Sequence, residues 1–264
     1  MTRRPILFPC AEQRLAGTLD LADGTTALLI VSGGNETRAG AWDGQAALAA
    51  RIAEAGYPVL RFDRRGVGDS EGANGGFRRG GPDIKAALQA LRRQCPQVAR
   101  IVAFGNCDGA AALMLTRGQG CDALVLSNPW TSEGEEETAH SPEATRAHYR
   151  GRLTDSAAIR RLLSGKVRLG GLVRSLIAAL RSVPAAEGLV DELATGIATF
   201  HGPIRFLVAE RDRTGQTFLG RWNKADPRIH RCPGASHSYV EPHAQDWLFA
   251  QILEVLRETG RSTG

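Results

Sequence analysis

The chain has 264 residues, of which 42% are hydrophobic and 23% charged, and its formal net charge is +5. This is the mix of a globular protein, with apolar material for the core of one large α/β domain or two small ones, and it excludes a disordered or collagen-like chain. Nothing repeats at a fixed period, which excludes a solenoid, and no uninterrupted apolar run approaches the roughly 18 residues of a membrane span.

In chain order, Ile6 to Phe8 and Arg14 to Leu21 read as two short strands, separated by polar Glu12-Gln13. Thr26 to Ser32 is a continuous apolar run ending in Gly33-Gly34, as expected of a strand covered on both faces. Ala41 to Ala55 places Ala46, Leu48, Ala49, Ile52 and Ala53 at helical spacing and stops at Gly56. Pro58 to Phe62 is the next strand, and Pro82 to Arg93 the next helix, with Ile84, Ala87, Leu88 and Leu91 on one face. Ile101 to Phe104 runs as a strand into Gly105-Asn106-Cys107-Asp108-Gly109 and then into the small-residue helix AAALMLT. Strands follow at Ala123 to Leu126, Ile204 to Ala209 and Arg228 to Arg231, and Trp247 to Leu256 closes the chain as an amphipathic helix.

Strands thus alternate with helices at βα spacing, which predicts a mostly parallel sheet covered on both faces. The alternation breaks over 130–200, where the pattern is helical and arginine-rich. We therefore expect a core of 1–129 and 201–264 interrupted by a helical cap insertion at 130–200.

Two segments fit G-x-nucleophile-x-G, the sharp strand-to-helix turn that presents a nucleophile on an α/β sheet. Gly68-Asp69-Ser70-Glu71-Gly72 carries the usual serine, but polar DRRGV precedes it and ANGGFRRGG, which cannot start a helix, follows. Gly105-Asn106-Cys107-Asp108-Gly109 has a buried strand before it and a helix after it. Cys107 is therefore the expected nucleophile, weighed against the alternative of a small buried hydrophobe. The thiolate is the reactive form, and Asp108 beside the sulfur opposes a resting thiolate unless its carboxylate turns away to cap the helix.

The chain order nucleophile, acid, histidine then points to Asp212, after the strand Ile204 to Ala209, with Glu210 as runner-up. The bland reading of Asp212 is a helix cap or an ion pair with Arg211 or Arg213. His237, in the small-residue loop after the last strand, is the expected base; His230 lies within a strand and His243 begins the final helix. For the oxyanion hole we expect the N–H of Asp108 and one from Ser32-Gly33-Gly34-Asn35, with Gly34 and Asn35 as candidates. Gly33 and Trp130 are expected to line the substrate site.

The succession VSGGNETRAG, AGYPVLRFDRRGVGDSEG, FGNCDGA and the late Asp and His resembles the α/β-hydrolase superfamily over nearly the whole chain. With RAHYRGRLTDSAAIRRLLSGKVRL, the cysteine turn resembles the exosortase A system-associated hydrolase 1 family. That resemblance implies a hydrolase associated with exopolysaccharide and protein-sorting systems, and names no substrate. The expected activity is hydrolysis of a carboxylic ester or thioester through an acyl-cysteine intermediate. Acyl transfer to a saccharide and a non-catalytic binding role are the competing readings.

Between Arg146 and Arg181, eight arginines and Lys166 face one acid, Asp155. A solvated helical face is one reading; docking of an anionic acyl donor, linked to coenzyme A, a carrier protein or a saccharide, is the other. The basic stretches lack interleaved aromatics, so nucleic acid is not an expected partner. No cofactor is expected, because Gly66, Gly68 and Gly72 miss the dinucleotide spacing and no phosphate-loop motif occurs. Cys10, Cys95, Cys107, Cys121 and Cys232 are odd in number and contain no C-x-x-C pair, so neither a disulfide framework nor a metal site is expected. With no apolar run of signal-peptide length at the start, the chain reads as cytoplasmic.

Overall fold

The computed structural model describes residues 2–132 and 188–261. Most of the expected cap insertion, with its basic stretch, lies outside the described residues.

Among the described residues, eight strands form one sheet in the order β1-β2-β4-β3-β5-β6-β7-β8. They are β1 (Thr2–Cys10), β2 (Gln13–Leu21), β3 (Thr26–Val31), β4 (Val59–Phe62), β5 (Arg100–Asn106), β6 (Ala123–Ser127), β7 (Ile204–Ala209) and β8 (Ile229–Cys232). β2 runs antiparallel to both β1 and β4, and every pairing from β4 to β8 is parallel. This is the expected α/β-hydrolase fold. β1 is longer than its apolar residues suggested. Thr2 to Pro5 are exposed and carry no hydrophobic pattern, but register with β2 from Thr2↔Leu21 to Cys10↔Gln13 extends the edge.

The continuous apolar runs of β3, β5 and β6 are explained by two cores. Leu29, Val31, Ile101, Ala103, Leu124 and Leu126 face one, and Leu28, Ile30, Val102, Phe104 and Val125 the other. The first core is covered by α2 (Gly81–Gln94), α3 (Asp108–Leu115), α4 (Gly188–Ala198) and α5 (Arg213–Arg221). The second is covered by α1 (Gly44–Glu54) and α6 (Pro242–Arg261). α4 belongs to the stretch assigned by sequence to the insertion. Its Leu189, Leu193 and Ile197 are nevertheless buried in the first core, and Gly196 passes so close to α3 that a Cβ there would lie 2.2 Å from the Met114 carbonyl. No helix among the described residues is long and apolar enough to cross a membrane.

The parallel strands end on one side of the sheet, where the loops after β3, β4, β5, β6, β7 and β8 converge. In open α/β sheets this is where ligands bind.

Candidate active site

Cys107 sits between β5 and α3 with φ 57° and ψ −125°, a left-handed conformation that a β-carbon disfavours. Strain of about 1–3 kcal/mol at such a position persists only where the surroundings hold it. They do so here: Cys107 N–H donates to the Ser127 carbonyl at 3.0 Å, and the Cys107 carbonyl accepts from Trp130 at 3.2 Å and Ala111 at 3.2 Å. Trp130, expected near substrate, is thus tied to the turn through its backbone, and its half-buried indole packs on the first core. The two glycines of the motif have a steric cause. A Cβ on Gly109 would lie 2.4 Å from the Val31 carbonyl oxygen, and one on Gly105 would lie 2.7 Å from Ala110 N. Gly33 is pressed against the same turn, since a Cβ there would meet the Asn106 carbonyl at 2.5 Å.

His237, in the loop after β8, lies 3.0 Å through Nδ1 from Asp212 Oδ2, and hydrogen-bonds to the thiol of Cys107. Burial works against the imidazolium. The hydrogen bonds to Asp212 and Cys107 and their negative fields outweigh it, and the pKa of His237 is pushed up to about 10. Asp212 is buried and caps α5, accepting from Thr214 N at 3.2 Å and Gly215 N at 2.9 Å. The helix-cap reading of Asp212 and its contact with His237 therefore coexist, both served by one carboxylate.

The other candidates lie elsewhere. Glu210 is exposed. His230 lies within β8, its pKa lowered chiefly by burial, and His243 Nε2 meets the Pro233 carbonyl at 3.0 Å. The Ser70 hydroxyl donates to the Asp63 carbonyl at 2.7 Å and accepts from Ala16 N at 2.9 Å, so it ties its loop to β2.

The Asp108 side chain does not cap α3. Its Oδ1 accepts from Gly34 N at 2.6 Å, and its two oxygens face Arg64 Nη2 at 3.2 and 3.3 Å. One expected oxyanion donor, the Gly34 N–H, is therefore engaged by Asp108. The Asp108 N–H, in the first turn of α3, is a group that a helix leaves without an intrahelical partner. Asn35 is exposed, and its Oδ1 accepts from Asn74 Nδ2 at 2.7 Å.

Sequence reasoning missed the polar network beneath the turn. Buried Asn128 donates from Nδ2 to Asn106 Oδ1 at 3.1 Å and to Ser127 Oγ at 3.2 Å, and accepts from Ala209 N at 2.9 Å. Asn106 Nδ2 donates in turn to the His237 carbonyl at 3.3 Å, and Tyr239 meets Ser127 Oγ at 2.8 Å. The ends of β5, β6 and β7 are thereby joined to the histidine loop. A cavity of about 60 Å³ is lined by Glu36, Trp42, Asn106, Ser238 and Tyr239 among others. Burial pushes the Glu36 carboxyl up there, and Gln45 Nε2 donates to it at 3.2 Å. Among the described residues no group of three or more His, Cys, Asp or Glu could hold a metal ion.

A sequence model described as the alpha/beta hydrolase family matches residues 28–251. Among solved structures, an α/β hydrolase, GrgF, from Penicillium sp. sh18 is similar at 17% identity with a TM-score of 0.65, covering 98% of this chain and 99% of that one. A proline iminopeptidase from Mycobacterium smegmatis is similar at 16% identity and a TM-score of 0.64, covering 99% and 100%. The esterase Pf2001 of Pyrococcus furiosus follows at 17% identity and 0.60, covering 97% and 91%. Comparison with curated protein sequences found no match.

Proposed function

The chain belongs to the α/β hydrolase family, and from that premise we propose that it hydrolyses a carboxylic ester or thioester with Cys107 as nucleophile, His237 as base and Asp212 as orienting acid. The observation that carries this reading is the left-handed Cys107, its thiol bonded to an imidazole whose other nitrogen faces a buried carboxylate at 3.0 Å. The proton of Cys107 passes to His237 before attack, forming the imidazolium that the raised pKa of His237 and the Asp212 carboxylate favour, and the sulfur then attacks the carbonyl carbon. The tetrahedral oxyanion is received by the N–H of Asp108 and by the loop Gly34-Asn35. As it collapses, the leaving oxygen or sulfur takes the proton from His237 and a thioester remains on Cys107. Water, deprotonated by His237, then attacks the thioester and releases the acid.

The resemblance to the exosortase-associated family supports a link to exopolysaccharide or protein-sorting pathways, and the five free cysteines support a reducing, cytoplasmic setting. The arginine-rich sequence from Arg146 to Arg181 supports an anionic acyl donor.

The test is an ester and thioester panel on wild type beside Cys107→Ala, with mass spectrometry of the trapped protein. Turnover by wild type alone, with an acyl mass on the Cys107 peptide, is expected. No turnover by wild type, with Cys107 untouched by dilute iodoacetamide, would favour a binding protein on a hydrolase fold. A panel run with a saccharide acceptor separates hydrolysis from acyl transfer by product.

A further inference from the structure

The loop following β4 carries an arginine that the proposed chemistry does not use. Arg64 is only 4% exposed, and its Nη1 is buried with no hydrogen-bond partner among the described residues. Buried donors are nearly always satisfied, so an orphan on a guanidinium marks the place of an absent acceptor. Arg64 also lines a cavity of about 150 Å³ with Arg65, Asn74, Arg79 and Asp83. Asp83 is matched to Arg65, which it bonds through both side chain and backbone N–H. Arg64 is paired with Asp108 through Nη2 alone, so its orphan Nη1 and the Arg79 guanidinium are the cationic donors left on the cavity wall, with Asn74 beside them. Such a set receives a carboxylate or a phosphate group.

The same Arg64 reaches the nucleophile turn from its other side. Its Nη2 bonds the Gly34 carbonyl and faces both oxygens of Asp108, while Asp108 Oδ1 occupies the Gly34 N–H. An anion in the cavity, taken up by Nη1, therefore draws on the same guanidinium that holds the Asp108 carboxylate through Nη2.

Resting on the hydrolase reading above, we infer that this cavity binds a carboxylate or phosphate carried by the acyl substrate, and that Arg64 transfers from Asp108 to that group. Asp108 loses its cation, leaves Gly34, and the Gly34 N–H becomes available to the tetrahedral intermediate. Substrate charge thus selects the substrate and also completes the oxyanion hole. A neutral acyl chain of equal length lacks the trigger and meets an occupied donor.

The experiment compares p-nitrophenyl butyrate with mono-p-nitrophenyl succinate, at constant ionic strength, with and without inorganic phosphate. Wild type is expected to prefer the succinate by at least about 10-fold in kcat/KM, with much of the difference in kcat. Inorganic phosphate raises kcat on the butyrate and competes with the succinate. Arg64→Gln abolishes both effects, and Asp108→Ala turns over the butyrate faster and ignores phosphate. Should Arg64→Gln fail to fold, Arg79→Gln, on the exposed wall, weakens the phosphate response. Phosphate also raises the Tm of Cys107→Ala, a readout independent of turnover. Equal kcat/KM for the two esters, with no phosphate effect on rate or Tm, overturns the inference while leaving the hydrolase reading standing. A phosphate-dependent Tm with no turnover of any ester overturns the hydrolase reading and leaves the anion site.

Discussion

Replacing Asn128 by Ala removes a side chain that touches no expected catalytic group, yet the geometry assigns it a large cost. The Ala209 N–H, which donates to Asn128 Oδ1 at 2.9 Å in the interior, is left without an acceptor. An unmet buried donor costs about 1–3 kcal/mol. The bonds to Asn106 and Ser127 are lost as well, at about 1 kcal/mol each. Asn128 also has φ 42°, a conformation that asparagine tolerates better than alanine by a fraction of the roughly 1–2 kcal/mol left-handed penalty. Together these come to about 4 kcal/mol. A chain of this length unfolds with an entropy on the order of 0.5 kcal/mol/K, so the expected fall in Tm is about 8 °C by calorimetry. Activity should fall further than stability explains, because Asn106, released from Asn128, no longer holds the His237 carbonyl. A Tm within about 2 °C of wild type, with unchanged kcat, would show that the network does not position the histidine loop.

Gly109→Ala sets a methyl group 2.4 Å from the Val31 carbonyl oxygen, so α3 must shift away from β3. Overpacking of this kind costs about 1–3 kcal/mol, and circular dichroism melts should register it together with near-complete loss of turnover. Asp212→Ala removes a helix cap and the partner of His237 at once: kcat should drop by at least about 100-fold and Tm by a few degrees, and unchanged kinetics would exclude Asp212 from the mechanism. The raised His237 makes the fold favour the protonated imidazole. Its contribution to stability is complete below about 6.5, declines as pH rises, and is gone above the folded value of about 10. Tm measured from pH 6 to 10 should therefore fall more steeply for wild type than for Asp212→Asn, and parallel curves would disprove the coupling.

What could be read from the sequence was whatever a short window encodes. β3, β5 and β6 are apolar without interruption because both faces are covered, and the elbow announces itself by two glycines between a strand and a small-residue helix. α5 is not legible in the sequence because its interior offers little hydrophobic pattern. It is held by the Asp212 cap and by Phe218, which stacks on Trp222 with centroids 5.4 Å apart and lies 5.2 Å from Phe206 on β7. α4 follows the basic stretch without a break in helical pattern, and only Leu189, Leu193 and Ile197, recurring at one-turn spacing, set it apart. The roles of Asn128 and Arg64 depend on residues 22 and 44 positions away, a distance over which no periodicity operates.

Asp108 illustrates the difference most sharply. Beside a cysteine nucleophile, a carboxylate looks from sequence like a liability to the thiolate, with helix capping as its escape. The structure places it against the donor that the reaction is expected to need. A tetrahedral oxyanion sharing the Gly34 N–H with this carboxylate would lie about 4 Å from it and be repelled by about 4 kcal/mol at an effective dielectric of about 20. That is close to three orders of magnitude in rate. Turning Asp108 aside without compensation strips a buried guanidinium of its counter-ion, which is itself strongly unfavourable. The two penalties are relieved together only if another anion takes the place of Asp108 on Arg64, so the chemistry of this turn and the charge of its substrate are one problem.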